Sequence, residues 1–120
     1  MIAKINIKEK LSLFQDYWNP RIVGELNGQF VKLAKLKGEF VWHKHDDEDE
    51  MFFILKGALR MEFRDRIIEV REGELLIVPR GVEHRSVAER EVAIMLVEPK
   101  STLNTGDTKS ELTRNTLDQI

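Results

Sequence analysis

From Arg21 to Val97 the chain alternates apolar and polar residues in short bursts separated by turn residues. RIVGEL and QFVKLAKL flank Asn27-Gly28, a pair suited to the left-handed conformations of a type I′ turn, so the segment predicts a β-hairpin. In QFVKLAKLKG, Val31 and Leu33 alternate loosely with lysines, the pattern of a strand with one buried and one wet face. Gly38 then precedes a run through Val41 and His43. Met51 to Leu55 predicts a strand ending near Gly57, and Leu59, Met61 and Phe63 alternate with Arg60, Glu62 and Arg64. Asp65 and Arg66 turn the chain, and Ile67 to Val70 returns. Gly73 introduces Leu75 to Val78, closed by Pro79 and Gly81. Glu83 to Val87 reads as a short strand, Ala88 to Arg90 as a polar turn, and Val92 to Val97 as a last apolar strand stopped by Pro99. Short strands at this spacing, with Gly and Pro between them, predict an all-β sandwich or barrel.

The ends differ from the middle. Asn6 to Tyr17 is amphipathic enough for a short strand followed by a helical turn, and Asn19-Pro20 stops any helix there. The tail, STLNTGDTKSELTRNTLDQI, has no aromatic residue and is rich in Ser, Thr and Asn, so it makes no core of its own. Its Asn104-Thr-Gly-Asp107 stretch reads as a specific turn, and the first part of the tail is expected to pack on the barrel. This organisation is one domain over 1–120, with the barrel core at about 21–99 and the tail at 100–120.

Composition narrows the function. At 120 residues and 42% hydrophobic, the chain fits one domain with a real core. Its 19 Lys+Arg against 21 Asp+Glu leave no cationic surplus for nucleic acid or anionic lipid. The absence of cysteine excludes disulfides and thiolate metal sites. MIAKINIKEK lacks the apolar core of a signal peptide, and Val92 to Val97 is far too short to span a bilayer. A soluble, cytoplasmic protein is expected, with neither nucleic acid nor membrane as partner.

Chemistry concentrates in WHKHDDEDEMFF. The chain holds three histidines, His43, His45 and His84. In a strand, residues i and i+2 face the same way, so His43 and His45 would converge if HKH is extended. Imidazole with carboxylate suits Zn, Mn, Fe, Co, Ni or Cu. Two histidines alone are more often surface or hydrogen-bonded core residues than metal ligands. The acids Asp46 to Asp49 do not form a calcium loop, which needs a Gly at its sixth position and a Glu at its twelfth. They read as a solvated connection.

The wider pattern resembles the cupin superfamily, in its small single-domain form. The family's first motif is matched by Gly38, EFVW, His43-Lys44-His45, DDED, Glu50, MFFILK and Gly57. The second is matched by Gly73, ELLIV, Pro79-Arg80-Gly81, VE, His84, RSV and then Ala88. Gly38 lies one residue closer to His43 than the family pattern has it, and Ala88 stands where the family has Asn; neither position is a family metal ligand. The resemblance implies the cupin double-stranded β-helix, a jelly-roll barrel, here with a short N-terminal helical turn and a polar C-terminal tail. It also implies one divalent transition metal held by His43, His45, Glu50 and His84. Family spacing admits Asp49 or Glu50 as the carboxylate. Gly57, six residues past Glu50, selects Glu50, as does its parity with Phe52 and Ile54.

Val41, Phe52, Met61 and Arg80 are candidates for a substrate pocket, the first three as apolar walls and Arg80 as an anion contact. Cupins include dioxygenases, decarboxylases, epimerases and isomerases of sugars and sugar phosphates. The resemblance therefore implies a metal-dependent enzyme acting on a small molecule, of dioxygenase or sugar-isomerase type. A non-catalytic binding or sensor protein is the alternative, and a structural dimer whose metal mainly stabilises the barrel is a third reading. A homodimer is expected, because an N-terminal strand edge invites pairing.

Overall fold

The computed structural model describes residues 2–120. Among them are one helix, α1 (Ile7–Leu11), and seven strands: β1 (Arg21–Leu26), β2 (Gln29–Glu39), β3 (Glu50–Lys56), β4 (Ala58–Phe63), β5 (Ile67–Arg71), β6 (Leu75–Val78) and β7 (His84–Pro99). Among the described residues no strand precedes α1, contrary to expectation. Asn6 Oδ1 accepts the Glu9 N–H at 2.9 Å and caps the helix at once. The β1–β2 hairpin turns on Asn27 and Gly28, both at positive φ (49° and 76°), as a type I′ turn requires.

All strand pairs are antiparallel, in the order β1-β2-β7-β3-β6, with β4 and β5 on the far side. Strand β7 belongs to both walls of this jelly roll. Its first residues pair with β4, from Phe63 opposite His84 to Arg60 opposite Val87. Its later residues pair with β3, from Lys56 opposite Ala93 to Met51 opposite Val97. Along its other edge it runs beside β2 for almost its full length.

The polar turn expected at Ala88–Arg90 is therefore absent. The strand continues through it, and the ladder shifts between Leu36 and Gly38. This bulge leaves Glu89, Arg90 and Glu91 exposed while both flanks of β7 keep their inward parity.

The core contains Ala34 and Leu36 of β2, Phe52 and Ile54 of β3, Leu59 and Met61 of β4, and Ile94 and Leu96 of β7. Each of the larger of these side chains contributes about 1.5–3 kcal/mol by leaving water. The wet face expected for β2 is only partly wet. Lys32 shares the inward face with Ala34 and is 1% exposed, its Nζ donating to Glu98 Oε1 at 2.7 Å.

The tail packs throughout on the barrel. Thr105 is fully buried and its hydroxyl meets that of Thr113 at 2.7 Å. The last residues bond the edge of β1: the Ile22 N–H donates to Asp118 O at 2.9 Å, and the Ile120 N–H donates to Ile22 O at 3.0 Å. Part of the β1 edge is thus occupied by the chain itself. No helix among the described residues is long and apolar enough to cross a membrane.

Candidate metal centre

His43, His45, Glu50 and His84 meet inside the barrel, all buried, with one candidate ligand atom from each lying within 4.8 Å of the others. Only Glu50 and His84 belong to regular strands, as the first residues of β3 and β7. HKH is not a strand: His43 forms an isolated bridge to His84, and the rest of the segment is irregular. The His45 carbonyl accepts the Gly81 N–H at 2.8 Å, which ties it to the turn before β7.

The tail closes this loop from outside. Lys44 N–H donates to Asp107 Oδ1 at 3.0 Å, Asp107 N–H donates back to Lys44 O at 3.1 Å, and the Thr108 hydroxyl donates to Trp42 O at 3.0 Å. Gly106 sits so close that a Cβ there would overlap the Lys44 carbonyl.

Ring orientation sets the donors. His43 Nδ1 lies 2.9 Å from Val41 O, and His84 Nδ1 lies 2.9 Å from Val82 O. A carbonyl only accepts, so each Nδ1 carries the proton and each Nε2 offers a lone pair. His84 Nε2 and His45 Nε2 both lie 3.3 Å from Glu50 Oε1. Neither ring nitrogen of His45 has a hydrogen-bond partner in the protein, although both are buried. Buried polar atoms are almost always satisfied, so this orphaned imidazole fits a metal ligand. With ligand bonds of roughly 2.0–2.2 Å, a cluster of this span fits one divalent transition ion.

The electrostatics agree. Burial, reinforced by neighbouring His84, pushes His43 down to about 4, so its imidazole is neutral and ready to ligate. Burial also disfavours the cation at His45, but the Glu50 carboxylate prevails and raises it. Burial of Glu50 favours its acid form, yet the neighbouring imidazoles of His45 and His84 hold it well below the usual carboxylate range. Glu98 is held well above that range, first by burial and then by the adjacent Glu50.

A small cavity opens beside the cluster, lined by apolar residues including Trp18, Leu36, Phe40, Phe52 and Leu96, with His43, Glu50, Ser86, Glu98 and Asn104 as its polar groups. Of the pocket candidates, Phe52 lines it. Val41, Met61 and Arg80 do not. Met61 is fully buried in the core, where its Sδ takes a long contact of 3.7 Å from the Ser86 hydroxyl. Val41 packs against the core from its margin, because the chain there has left the sheet. Arg80 points into solvent, its backbone N–H donating to Asp49 Oδ1 at 2.9 Å and its side chain meeting the same atom at 3.4 Å. The acid run is a loop with one exception: Glu48 folds back to accept from the Ser101 hydroxyl at 3.0 Å and lies 4.0 Å from His45 Nδ1.

Three contributors escaped the sequence reading: Trp18, Asn104 and the pair Lys32–Glu98. Trp18 stacks on Phe40 at 4.7 Å and donates its indole N–H to Lys37 O. The signal for Glu98 was a lone acid at the end of an apolar strand, in parity with Ile94 and Leu96.

Comparison with known proteins gives a consistent picture. The family model described as cupin domain (Cupin_2) matches residues 29–98. The crystal structure of a cupin-2 domain containing protein from Shewanella frigidimarina is similar, with 46% identity and a TM-score of 0.79 over 80% of this chain and 94% of that one. The uncharacterized protein YdbB of Bacillus subtilis (strain 168) is 34% identical over 95 residues, 78% of each chain. Acireductone dioxygenase of Heterostelium pallidum is 46% identical over 57 residues, 43% of this chain and 38% of that one.

Proposed function

This chain belongs to the cupin domain family, and from that premise we propose that it is a metal-dependent enzyme acting on a small molecule, of the dioxygenase type. The carrying observation is the convergence of four buried donors at an apolar cavity, with both nitrogens of His45 lacking any protein partner. His43, His45, Glu50 and His84 would hold the ion, and three imidazoles with one carboxylate leave room for a further ligand. When bound, the metal supplies Lewis-acid polarisation and, if redox-active, electron transfer to oxygen.

The chain's own residues do the rest. The carbonyls of Val41 and Val82 fix the imidazole tautomers of His43 and His84. Glu50 keeps its negative charge and offsets that of a cation. Phe52, Leu96 and Trp18 exclude water from the space where a substrate would lie.

Two observations favour the dioxygenase type over a sugar-phosphate isomerase. The shared 57-residue stretch with an acireductone dioxygenase supports oxygen chemistry. No residue lining the cavity is a Lys or Arg, so a phosphate would find no side-chain counter-charge there beyond the ion itself. We also propose a homodimer through the outer sheet face, where Leu75 and Ile77 of β6 are exposed opposite Phe53 and Met51 of β3. Light scattering at high micromolar concentration tests it, and a monomer would refute it.

The enzymatic reading is tested by metal analysis of protein purified without chelator, followed by oxygen uptake with a panel of small diols, enediols and thiols. Uptake that depends on the bound metal is expected. Tight binding of a panel member without turnover would identify a sensor instead, and metal-free protein would refute the metal reading.

A further inference from the structure

Of the acid run after the histidines, the metal site absorbs Glu50, and one other member is more than a solvated loop residue. Asp46, Asp47 and Asp49 are exposed, whereas Glu48 is partly buried, its side chain 15% exposed. It folds back over the loop. Ser101, just past β7, donates its hydroxyl to Glu48 Oε2 at 3.0 Å. That leaves Oε1, which lies 4.0 Å from His45 Nδ1.

The three histidines face one requirement. A neutral imidazole that ligates through Nε2 carries its proton on Nδ1, and that N–H needs an acceptor. His43 and His84 aim Nδ1 at the carbonyl two residues earlier, at 2.9 Å in each case. For His45 the equivalent carbonyl is that of His43, which instead accepts the His84 N–H at 2.9 Å in the backbone bridge. His45 Nε2 faces the cluster, 3.3 Å from Glu50 Oε1. Its Nδ1 is buried with no hydrogen-bond partner, on a side chain only 2% exposed. Glu48 Oε1, from three residues on, is the oxygen set beside it.

We propose that Glu48 is a positioning residue for the metal site: its Oε1 accepts the Nδ1–H of His45, fixes that imidazole in one tautomer and holds Nε2 toward the ion. This rests on the metal reading above. The gap exceeds a hydrogen bond by roughly 1 Å, and Glu48 lies on a loop, where a small turn of the side chain closes it. Ser101 acts one step further out, by anchoring Oε2. An acid behind a ligating imidazole raises its basicity and strengthens its hold on a metal; loss of such a partner typically costs about 10–100-fold in affinity.

The test uses the full chain loaded with Co²⁺, whose paramagnetism moves the ring N–H protons of bound histidines away from the rest of the proton NMR spectrum. One such exchangeable signal is expected from each of the three histidines. Glu48→Ala should broaden or lose one of them through faster exchange with water, keep the two anchored by Val41 O and Val82 O, and weaken Co²⁺ binding about 10–100-fold. Glu48→Gln retains a carbonyl oxygen as acceptor and should restore the missing signal. Asp47→Ala, at an exposed neighbour, should match the wild type. Unchanged signals and affinity in Glu48→Ala would overturn the role of Glu48 and leave the metal site standing. Displacement of all the signals together would also overturn it, because that marks a general loosening of the loop. Failure of the wild type to load Co²⁺ would overturn the metal reading itself. If Glu48→Ala does not fold, a crystal structure of the cobalt-loaded wild type decides: His45 Nδ1 within hydrogen-bond reach of Oε1 supports the role, and a separation still near 4.0 Å refutes it.

Discussion

His43 and His84 bond each other twice through their backbones. The His43 N–H donates to His84 O at 3.0 Å, and the His84 N–H donates to His43 O at 2.9 Å. Their rings lie 4.4 Å apart. The bridge places two imidazoles from distant parts of the chain side by side before any ion is present, and each ring is aimed by the carbonyl two residues earlier. The site is thus preorganised by main-chain bonds.

The ligand set predicts a metal content of about one ion per chain. His43→Ala/His45→Ala and Glu50→Gln should each bring it near zero after dialysis. Asp49→Asn should leave it unchanged, because Asp49 accepts from Arg80 outside the cluster. Elemental analysis of the dialysed proteins reads this directly, and metal retained by the double variant would place the site elsewhere.

Gly106 predicts a coupled loss of stability and metal affinity. Its φ of +55° is left-handed, and an added Cβ would overlap Lys44 O and crowd His43 Cδ2 at 3.1 Å. Gly106→Ala should cost about 1–3 kcal/mol, lower Tm by several degrees and weaken metal binding as the HKH loop shifts. Gly73→Ala, at φ +83° in open space, should carry the backbone strain without affecting the metal. Thermal melts and metal titrations of both variants make the comparison; equal metal affinity in the two would remove the tail from the site's support.

His43 predicts a pH dependence in the metal-free protein. Unfolded, it takes a proton near 6.5; folded, burial and His84 hold it off until about 4. The unfolded state therefore binds more protons between these values, and stability falls as pH drops through that window. The slope is up to roughly 1.4 kcal/mol per pH unit for one full proton. Glu50, depressed by its histidines against the pull of burial, adds to the loss at the acid end. His45, raised by Glu50 despite burial, works in the opposite direction. Urea unfolding of wild type and His43→Gln between about pH 7 and 4 should show a flatter decline in the variant, and parallel curves would contradict the assignment.

The buried pair of Lys32 and Glu98 predicts strong non-additivity. Lys32→Met alone leaves the buried Glu98 Oε1 without its donor and should cost about 1–3 kcal/mol. Lys32→Met/Glu98→Leu removes both charges and should recover most of that, since apolar replacements of buried pairs are often neutral. Denaturant midpoints of wild type, single and double variants test this. A double variant as unstable as the single would show that packing, not charge, governs the position.

Much of the molecule was legible in the residues. Glycine and proline punctuation marked β4 and β6 at their observed bounds, because turns at those places need particular backbone angles. The spacing of the three histidines to Gly57 and Pro79 matched the cupin motifs, and that resemblance pointed to the metal cluster. What escaped has physical causes. Ala88 to Arg90 reads as a polar turn because charge is normally expelled at turns, yet a bulge expels it equally well within one continuous strand. Lys32 reads as solvent-facing because its partner is distant in sequence; only the closed barrel brings Glu98 to it. The tail's grip on Trp42 and Lys44 leaves no periodic trace, since it consists of individual hydrogen bonds to Asp107 and from Thr108 rather than a repeating pattern.

That grip also imposes an order in time. Residues 104–108 follow all four candidate ligands in the chain, and ribosomes add residues at about 5–20 per second from the N-terminus. In the growing polypeptide the histidine loop is complete in chemistry before it is complete in support. Firm capture of an ion would therefore wait for residues 104–108 to emerge and dock, so the loop's support comes after its candidate ligands.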